Sequence, residues 1–526
     1  MLAFSPGLGY ILGECRHYKT FKKKAGYIVR VLIGWRRLAA FFLCCLWAST
    51  CQAQPLADKV REHVFPNGLH LLVVERHNAP TFAAYITVGV GSVDETNGNR
   101  GLAHFLEHLR FKGTETLGTR NYAAEKPLLA AIEETGNALD RLRRTPDADT
   151  QELARLEKQL HALQQKHRQF VVTDEASSIY ARHGGVGYNA FTSKDSTSYV
   201  VSLPSNKLEL WAAVESDRMA HAVLREFYTE REVVQEERRR SYDSNPDGLL
   251  YEHLLATAFT VHPYRHPTIG WPSDIRNLTP RNARDFMHKY YAPTNTVIAL
   301  VGAVDFEQAV SLVGKYFGHL SAGTPVPDVA AVEPAQRGER RVEVVFDAQP
   351  KLQVAYHKPT LPAHDDYVFD VIDLLLSQGR TSRLYQSLVI EKQLATEVST
   401  YGAPGSRYPN LFVISLVPRY PHTVQEVEQA LYGELDRLCR EPASEEELQR
   451  VRNRLRVEQL RTLRENSGLA RMLTYFQTVA GDWRYLVDYD RKIASVTAED
   501  VMTAARRYFV RENRTVAILA PKGSRP

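Results

Sequence analysis

The feature that most constrains this chain is a repeat. Thr279, Tyr290, Tyr291 and Asn295 recur as Thr497, Tyr508, Phe509 and Asn513, at a constant spacing of 218 residues with no gap. Each copy reads as a helix followed by a buried strand, at 297–301 in the first and 515–519 in the second. A register shared over that distance implies two similar domains in tandem. At 526 residues the chain also exceeds what one hydrophobic core sustains. The Pro-, Gly- and Ala-richer stretch 321–338 reads as the linker. The expected divisions are a leader at 1–53, a first domain at 58–320, the linker, and a second domain at 339–526.

Other stretches fill in the elements. Residues 63–75 read as a hairpin turning at Asn67-Gly68, and 81–90 as a further strand. Segments 122–143 and 150–170 each carry helical spacing, with Leu153, Leu156, Leu160 and Leu163 on one side. They predict a helical hairpin inserted in the first domain at about 122–172, packed on that domain. In the second domain 341–346, 352–356 and 411–416 read as strands. Helices are expected at 365–376, 382–392, 423–440 and 444–466. The fold class is α+β: two homologous domains, each a mostly antiparallel sheet with helices on one face.

The net charge of +5 misleads. Residues 1–53 carry eight Lys and Arg against Glu14 alone, and the remainder has 58 basic residues facing 60 acidic ones. Nucleic-acid binding therefore gains no support. The leader itself has a basic flank at Arg36-Arg37, an apolar run from Leu38 to Ala48, and small residues up to Ala53. This pattern predicts a secretory signal cleaved near Ala53, with a secreted or periplasmic product. An uncleaved membrane anchor is the alternative. Cys439 is the single cysteine after the leader, so no internal disulfide forms there and cysteine ligation of a metal is excluded.

The chemistry gathers at Gly101-Leu-Ala-His104-Phe-Leu-Glu107-His108. On a helix, His104 and His108 lie one turn apart on one face, and Glu107 borders it. Two imidazoles so spaced can hold one zinc ion, and the carboxylate can take a proton from the water it activates. A third ligand must come from elsewhere. Glu230 and Glu237, seven apart on a second predicted helix, share a face and either could reach the metal. In the second domain the segment from Gly379 through Ser382 and Tyr385 is expected where the metal helix would stand. It has no His and Glu pair, so the metal belongs to the first domain.

These residues resemble the pitrilysin, insulin-degrading enzyme and mitochondrial processing peptidase family of zinc metallopeptidases, in the half-length form. The resemblance is carried by Gly91-Ser92, His104 to His108, Phe111-Lys-Gly-Thr114, Asn189-Ala-Phe-Thr192, Glu230 to Glu237, Tyr291 to Asn295 and Ser382-Arg-Leu-Tyr385. It implies one zinc held by His104, His108 and Glu237, with Glu236 the rival ligand, and Glu107 as general base. It also implies that Glu230 supports the site from behind, and that Asn189, Ala190, Phe191 and Thr192 form an edge strand taking peptide by β-augmentation. The resemblance implies a zinc endopeptidase acting on peptides or unfolded polypeptide. Two alternatives stand beside it: a metal-binding subunit active only with a zinc-lacking partner, and a non-catalytic structural subunit.

Two departures stand out. His108 and Glu237 are 129 residues apart, which the inserted hairpin explains. The chain has one half of the family's two-part chamber, so a homodimer or a heterodimer with a zinc-lacking relative is expected. The substrate-binding Arg and Tyr of that other half have no clear counterpart. Asn410 and Thr423 lie near the matching strand, and Arg407 and Tyr408 are displaced from it.

Overall fold

The computed structural model describes residues 56–523, so the expected leader and its cleavage site lie outside the described residues. Among the described residues eleven strands form two sheets. The first half supplies β1 (Val60–Val64), β2 (His70–Glu75), β3 (Thr81–Val88), β4 (Val186–Thr192), β5 (Thr197–Pro204) and β6 (Thr296–Gly302). Its helices include α1 (Leu102–Leu109), α2 (Tyr122–Arg143), α3 (Thr150–Arg168), α4 (Phe227–Arg238), α5 (Pro246–Ala258) and α6 (Pro280–Tyr290). The second half supplies β7 (Arg340–Val345), β8 (Lys351–Lys358), β9 (Ala395–Ala403), β10 (Asn410–Pro418) and β11 (Arg514–Ala520). Among its helices are α7 (His364–Leu376), α8 (Glu445–Arg464), α9 (Asn466–Val479), α10 (Arg484–Ser495) and α11 (Ala498–Tyr508). Residues 321–338 carry neither helix nor strand.

The strand orders are β1-β2-β6-β3-β5-β4 and β7-β11-β8-β10-β9. With β1 set aside they are one topology. β2 pairs parallel with β6 as β7 does with β11, and the remaining pairs are antiparallel. The repeat in the sequence holds in the backbone. Thr279 caps α6 with its side chain on the Asn282 amide, and Thr497 caps α11 with its side chain on the Asp500 amide. Asn295 then donates to the Tyr290 carbonyl at 3.0 Å, and Asn513 to the Tyr508 carbonyl at 2.9 Å. Both asparagines lock the turn that feeds the central strand.

Each sheet packs its own helices on one face. The opposite face is covered from the other half. α5 lays Leu250, Leu254, Leu255 and Ala258 against Val344, Ala355, Leu411, Val413 and Leu519 of the second sheet. α9 returns the exchange, packing on β3 and β6. Its buried face is Leu469, Ala470, Leu473 and Phe476. Covering both faces explains why β6, TVIALVG, is buried throughout rather than alternating.

The topology corrects one expectation. The counterpart of α1 is α7, not the Gly379 to Tyr385 segment. β8 pairs as β3 does, and α7 is the helix that follows it. The 385–391 stretch is a short wide-turn helix leading into β9.

A polar clasp joins the halves beside the β4–β5 turn. Asp195 accepts from the Tyr264 hydroxyl at 2.5 Å, the Ser406 amide at 2.6 Å and the Arg407 amide at 3.2 Å. Arg407 reaches Asp328 at 2.7 Å, and the Tyr408 hydroxyl accepts from the Val329 amide at 3.0 Å. Arg407 and Tyr408 thus serve this junction.

Candidate metal centre

α1 is short, and its start is fixed from outside. Glu95, buried, accepts from the Gly101 amide through one oxygen and the Ala103 amide through the other, both at 2.8 Å. These satisfy first-turn donors that the helix leaves open. Gly101 sits at φ +91, and a Cβ there would lie 2.3 Å from the Ile269 carbonyl oxygen, so only glycine fits. Burial pushes the Glu95 carboxyl up to about 8, against those two backbone bonds. Leu102, Phe105, Leu106 and Leu109 bury the opposite face of α1.

The other, partly buried side of α1 carries His104 and His108, with ring centroids 4.9 Å apart. α4 packs across it and brings Glu237. Glu237 Oε1 is 3.6 Å from His104 Nε2, and its Oε2 is 3.3 Å from His108 Nε2. One ligand atom from each of His104, His108 and Glu237 lies within 4.8 Å of the others. A tetrahedral ion about 2.0–2.1 Å from its ligands spaces them about 3.4 Å apart. The two contacts, one through each Glu237 oxygen, are close to that spacing, and two imidazoles with one carboxylate are a donor set that suits zinc. Glu236 turns outward and is paired with Arg239 at 2.6 Å.

Glu230 stands behind His108, its Oε2 3.5 Å from Nδ1, while its Oε1 takes the Lys112 ammonium at 2.6 Å. Lys112 also reaches Glu226 at 3.2 Å. The imidazoles differ in charge preference. Burial takes His104 down to about 4, against the pull of Glu237. Burial would lower His108 too, but hydrogen bonds to Glu230 and Glu237 outweigh it and hold it up to about 9.

Glu107 lies on the flank of the trio, facing β4. Thr192 donates its hydroxyl to Glu107 Oε2 at 2.6 Å. Burial raises the Glu107 pKa, opposed by that bond. β4 is the free edge of the first sheet. Asn189 and Phe191 are exposed, Ala190 is buried and Thr192 is partly buried. The structure therefore gathers His104, His108, Glu237, Glu107, Glu230 and Thr192 at one place, with Asn189 to Phe191 running away along the edge.

The roles of Glu95 and Lys112, and the contact that Thr192 makes beyond its expected place on the edge strand, were not legible. Glu95 caps α1 from a loop, Lys112 fixes Glu230 from beyond the end of α1, and Thr192 touches Glu107 across the sheet edge. The positive φ demanded by Gly101 is the nearest local signal for the first. The other two contacts are tertiary.

The chain is similar to known proteins over most of its length. Residues 71–140 and 167–271 match the family described as Insulinase (Peptidase family M16), and residues 277–455 match the Peptidase M16 inactive domain. The break at 141–166 falls on the end of α2 and most of α3. The zinc protease PqqE of Helicobacter pylori is 27% identical over 503 residues, covering 94% of this chain and 99% of that one. The crystal structure of a protease from Helicobacter pylori superposes with a TM-score of 0.74 at 25% identity, covering 88% of this chain and 100% of that one. The periplasmic protease PqqL of Escherichia coli shares the fold with a TM-score of 0.65 at 16% identity, covering 88% of this chain but 48% of the longer one. Relatives named zinc proteases support a protease role and zinc as the metal. Two family matches that run from the first sheet into the second half, over the shared two-sheet fold, place the chain in the insulinase family, peptidase family M16.

Proposed function

We propose that this chain is a zinc-dependent endopeptidase acting on peptides or unfolded polypeptide segments, with one zinc per chain. The observation that carries the reading is the convergence of His104, His108 and Glu237 beside a carboxylate, Glu107, that is tied to an open sheet edge. His104, His108 and Glu237 hold the metal, and Glu230 with Lys112 orients His108. Zinc bound there supplies Lewis acidity, polarising a peptide carbonyl and acidifying water.

The chain's own groups do the rest. An extended peptide adds to β4 as a further strand, through the backbone of Asn189, Ala190, Phe191 and Thr192. Pairing at the edge lays the scissile bond across Glu107. Glu107, with a raised proton affinity, takes a proton from the attacking water and passes it to the leaving amine. Thr192 holds the carboxylate toward the strand while it does so.

The test is cleavage of a quenched peptide by the purified chain alone. Turnover that is lost on chelation, restored by zinc and absent in Glu107→Gln supports the reading. A chain that binds zinc but stays silent alone favours the second reading, a subunit that needs a zinc-lacking partner. That second reading has its own support, since the chain spans about half of the PqqL chain. The intact trio argues against a purely structural subunit. The leader pattern supports export, and among the described residues no helix is long and apolar enough to cross a membrane.

A further inference from the structure

The second half lacks the imidazole pair, yet it keeps the scaffold of the metal centre. α7 follows β8 as α1 follows β3, and β9 is the edge strand as β4 is. A threonine also joins edge strand to helix in both halves, though two residues apart in ladder register. Thr192 on β4 donates to Glu107 on α1, and Thr400 on β9 donates to Asp373 on α7. The chemistry is what differs. Asp366, Asp370 and Asp373 lie four and three residues apart, so they share one face of α7.

The three carboxylates line a cavity of about 190 Å³, walled further by Phe369, Phe412, Tyr475, Phe476 and Tyr489. Lys358 also lines it, paired with Asp366 and bonded to the Pro359 carbonyl. Asp370 accepts from the Tyr489 hydroxyl at 2.8 Å. Lys358 pairs directly with Asp366; on Asp370 it acts only through its charge, as Arg454 does on Asp373. Asn410 supplies an independent sign. It is 3% exposed and lines the same cavity; its amide nitrogen is bonded to the Gly405 carbonyl, and its Oδ1 has no partner. A buried acceptor left open is unusual.

The lining therefore offers acceptors and aromatic faces to whatever enters. A single metal ion does not fit. Among the described residues the metal-ligating side chains that converge closely enough for one ion are His104, His108 and Glu237. Carboxylates beside aromatic rings instead suit an organic cation, bound by charge-assisted hydrogen bonds and cation–π contact.

We propose that the cavity between α7, β9 and α9 is a binding site for an alkylammonium or guanidinium group. The group can belong to a basic side chain of a peptide, which rests on the peptidase reading above, or to a free small amine. Binding needs no turnover, so the site is tested without reference to activity.

Agmatine and n-butylamine are titrated calorimetrically into the full chain, with n-butanol as the neutral control. Saturable binding of one equivalent is expected for a cation and none for the alcohol. Asp370→Asn and Asp373→Asn, each confirmed folded by circular dichroism, should weaken it at least tenfold. Cation binding that is unchanged in both variants, or absent throughout, overturns the site. Calcium or zinc competing the amine from this cavity overturns the organic-cation assignment. A second arm compares an arginine peptide with its norleucine analogue on Glu107→Gln chain. Tighter binding of the arginine peptide, lost in Asp370→Asn, assigns the site to a peptide side chain. Equal peptide binding together with amine binding assigns it to free amines.

Discussion

Thr192 donates its hydroxyl to Glu107 across 2.6 Å, joining the free edge of the first sheet to the helix that bears both imidazoles. This one bond sets where the carboxylate points. Thr192→Val keeps the shape and removes the donor. A hydrogen bond to a charged group is worth about 1.5–3 kcal/mol, and 1.36 kcal/mol is tenfold in rate. The variant should bind zinc normally and lose kcat by roughly tenfold or more. Metal analysis with single-turnover cleavage checks it, and an unaltered kcat would remove Thr192 from the site.

The two adjacent carboxylates on α4 separate cleanly. Glu237 faces both imidazoles, whereas Glu236 is paired with exposed Arg239. Glu237→Gln should abolish stoichiometric zinc in metal analysis, and Glu236→Gln should retain it. Full zinc in Glu237→Gln would mean the third ligand has been misassigned.

Glu230 is held by Lys112 at 2.6 Å and meets His108 at 3.5 Å. Partners that orient a ligand typically account for about 10–100-fold in metal affinity. Lys112→Met frees Glu230 to rotate, so zinc affinity measured by competition with a chelating dye should fall about tenfold. Glu230→Gln should fall further, and Lys112→Arg should recover much of the loss. Equal affinity in all three would reduce this pair to a surface bridge.

Much of this arrangement was legible because local chemistry and the fold agree. Thr279 and Thr497 announce two helix starts, and Asn295 and Asn513 two strand entries, so the repeat could be aligned to the residue. The His104 to His108 spacing is likewise a local property of one turn of helix. The counterpart of α1 was misplaced because α7 has no motif in common with it; only strand pairing identifies the two as equivalent. β9, ATEVSTYGA, is too polar to read as a strand, and it owes its state to its ladder with β10. The exchange of α5 and α9 between sheets leaves no local trace, since an apolar helix face does not say which half it covers.

The clasp at Asp195 is expected to govern stability rather than metal binding. Asp195→Ala would leave the Tyr264 hydroxyl and the Ser406 and Arg407 amides without their acceptor. Unsatisfied buried donors cost about 1–3 kcal/mol each, so a loss of about 3 kcal/mol in urea denaturation is expected. Zinc content of the folded variant should stay at the wild-type level. Loss of zinc with no loss of stability would show that the β4–β5 turn acts on the metal centre instead.

Asp370 makes the acidic cavity visible in a pH titration. Burial, then the neighbouring Asp366 carboxylate, push its pKa from 3.8 up to about 7; the Tyr489 hydroxyl and Lys358 oppose this, and Asp373 adds to it. An acid raised in the folded state keeps a proton that the unfolded chain gives up. Between about pH 4 and about pH 7 the folded chain thus binds more protons, and its stability falls as pH rises. Asp370→Asn cannot ionise and escapes that loss. The melting temperature of the variant minus that of the wild type should therefore grow from pH 4.5 to pH 8. Agmatine should narrow the difference at pH 8, because a bound cation stabilises only the ionised wild-type cavity. A difference that stays constant with pH would mean that Asp370 is ionised and compensated throughout, and that the cavity has no charge left to offer.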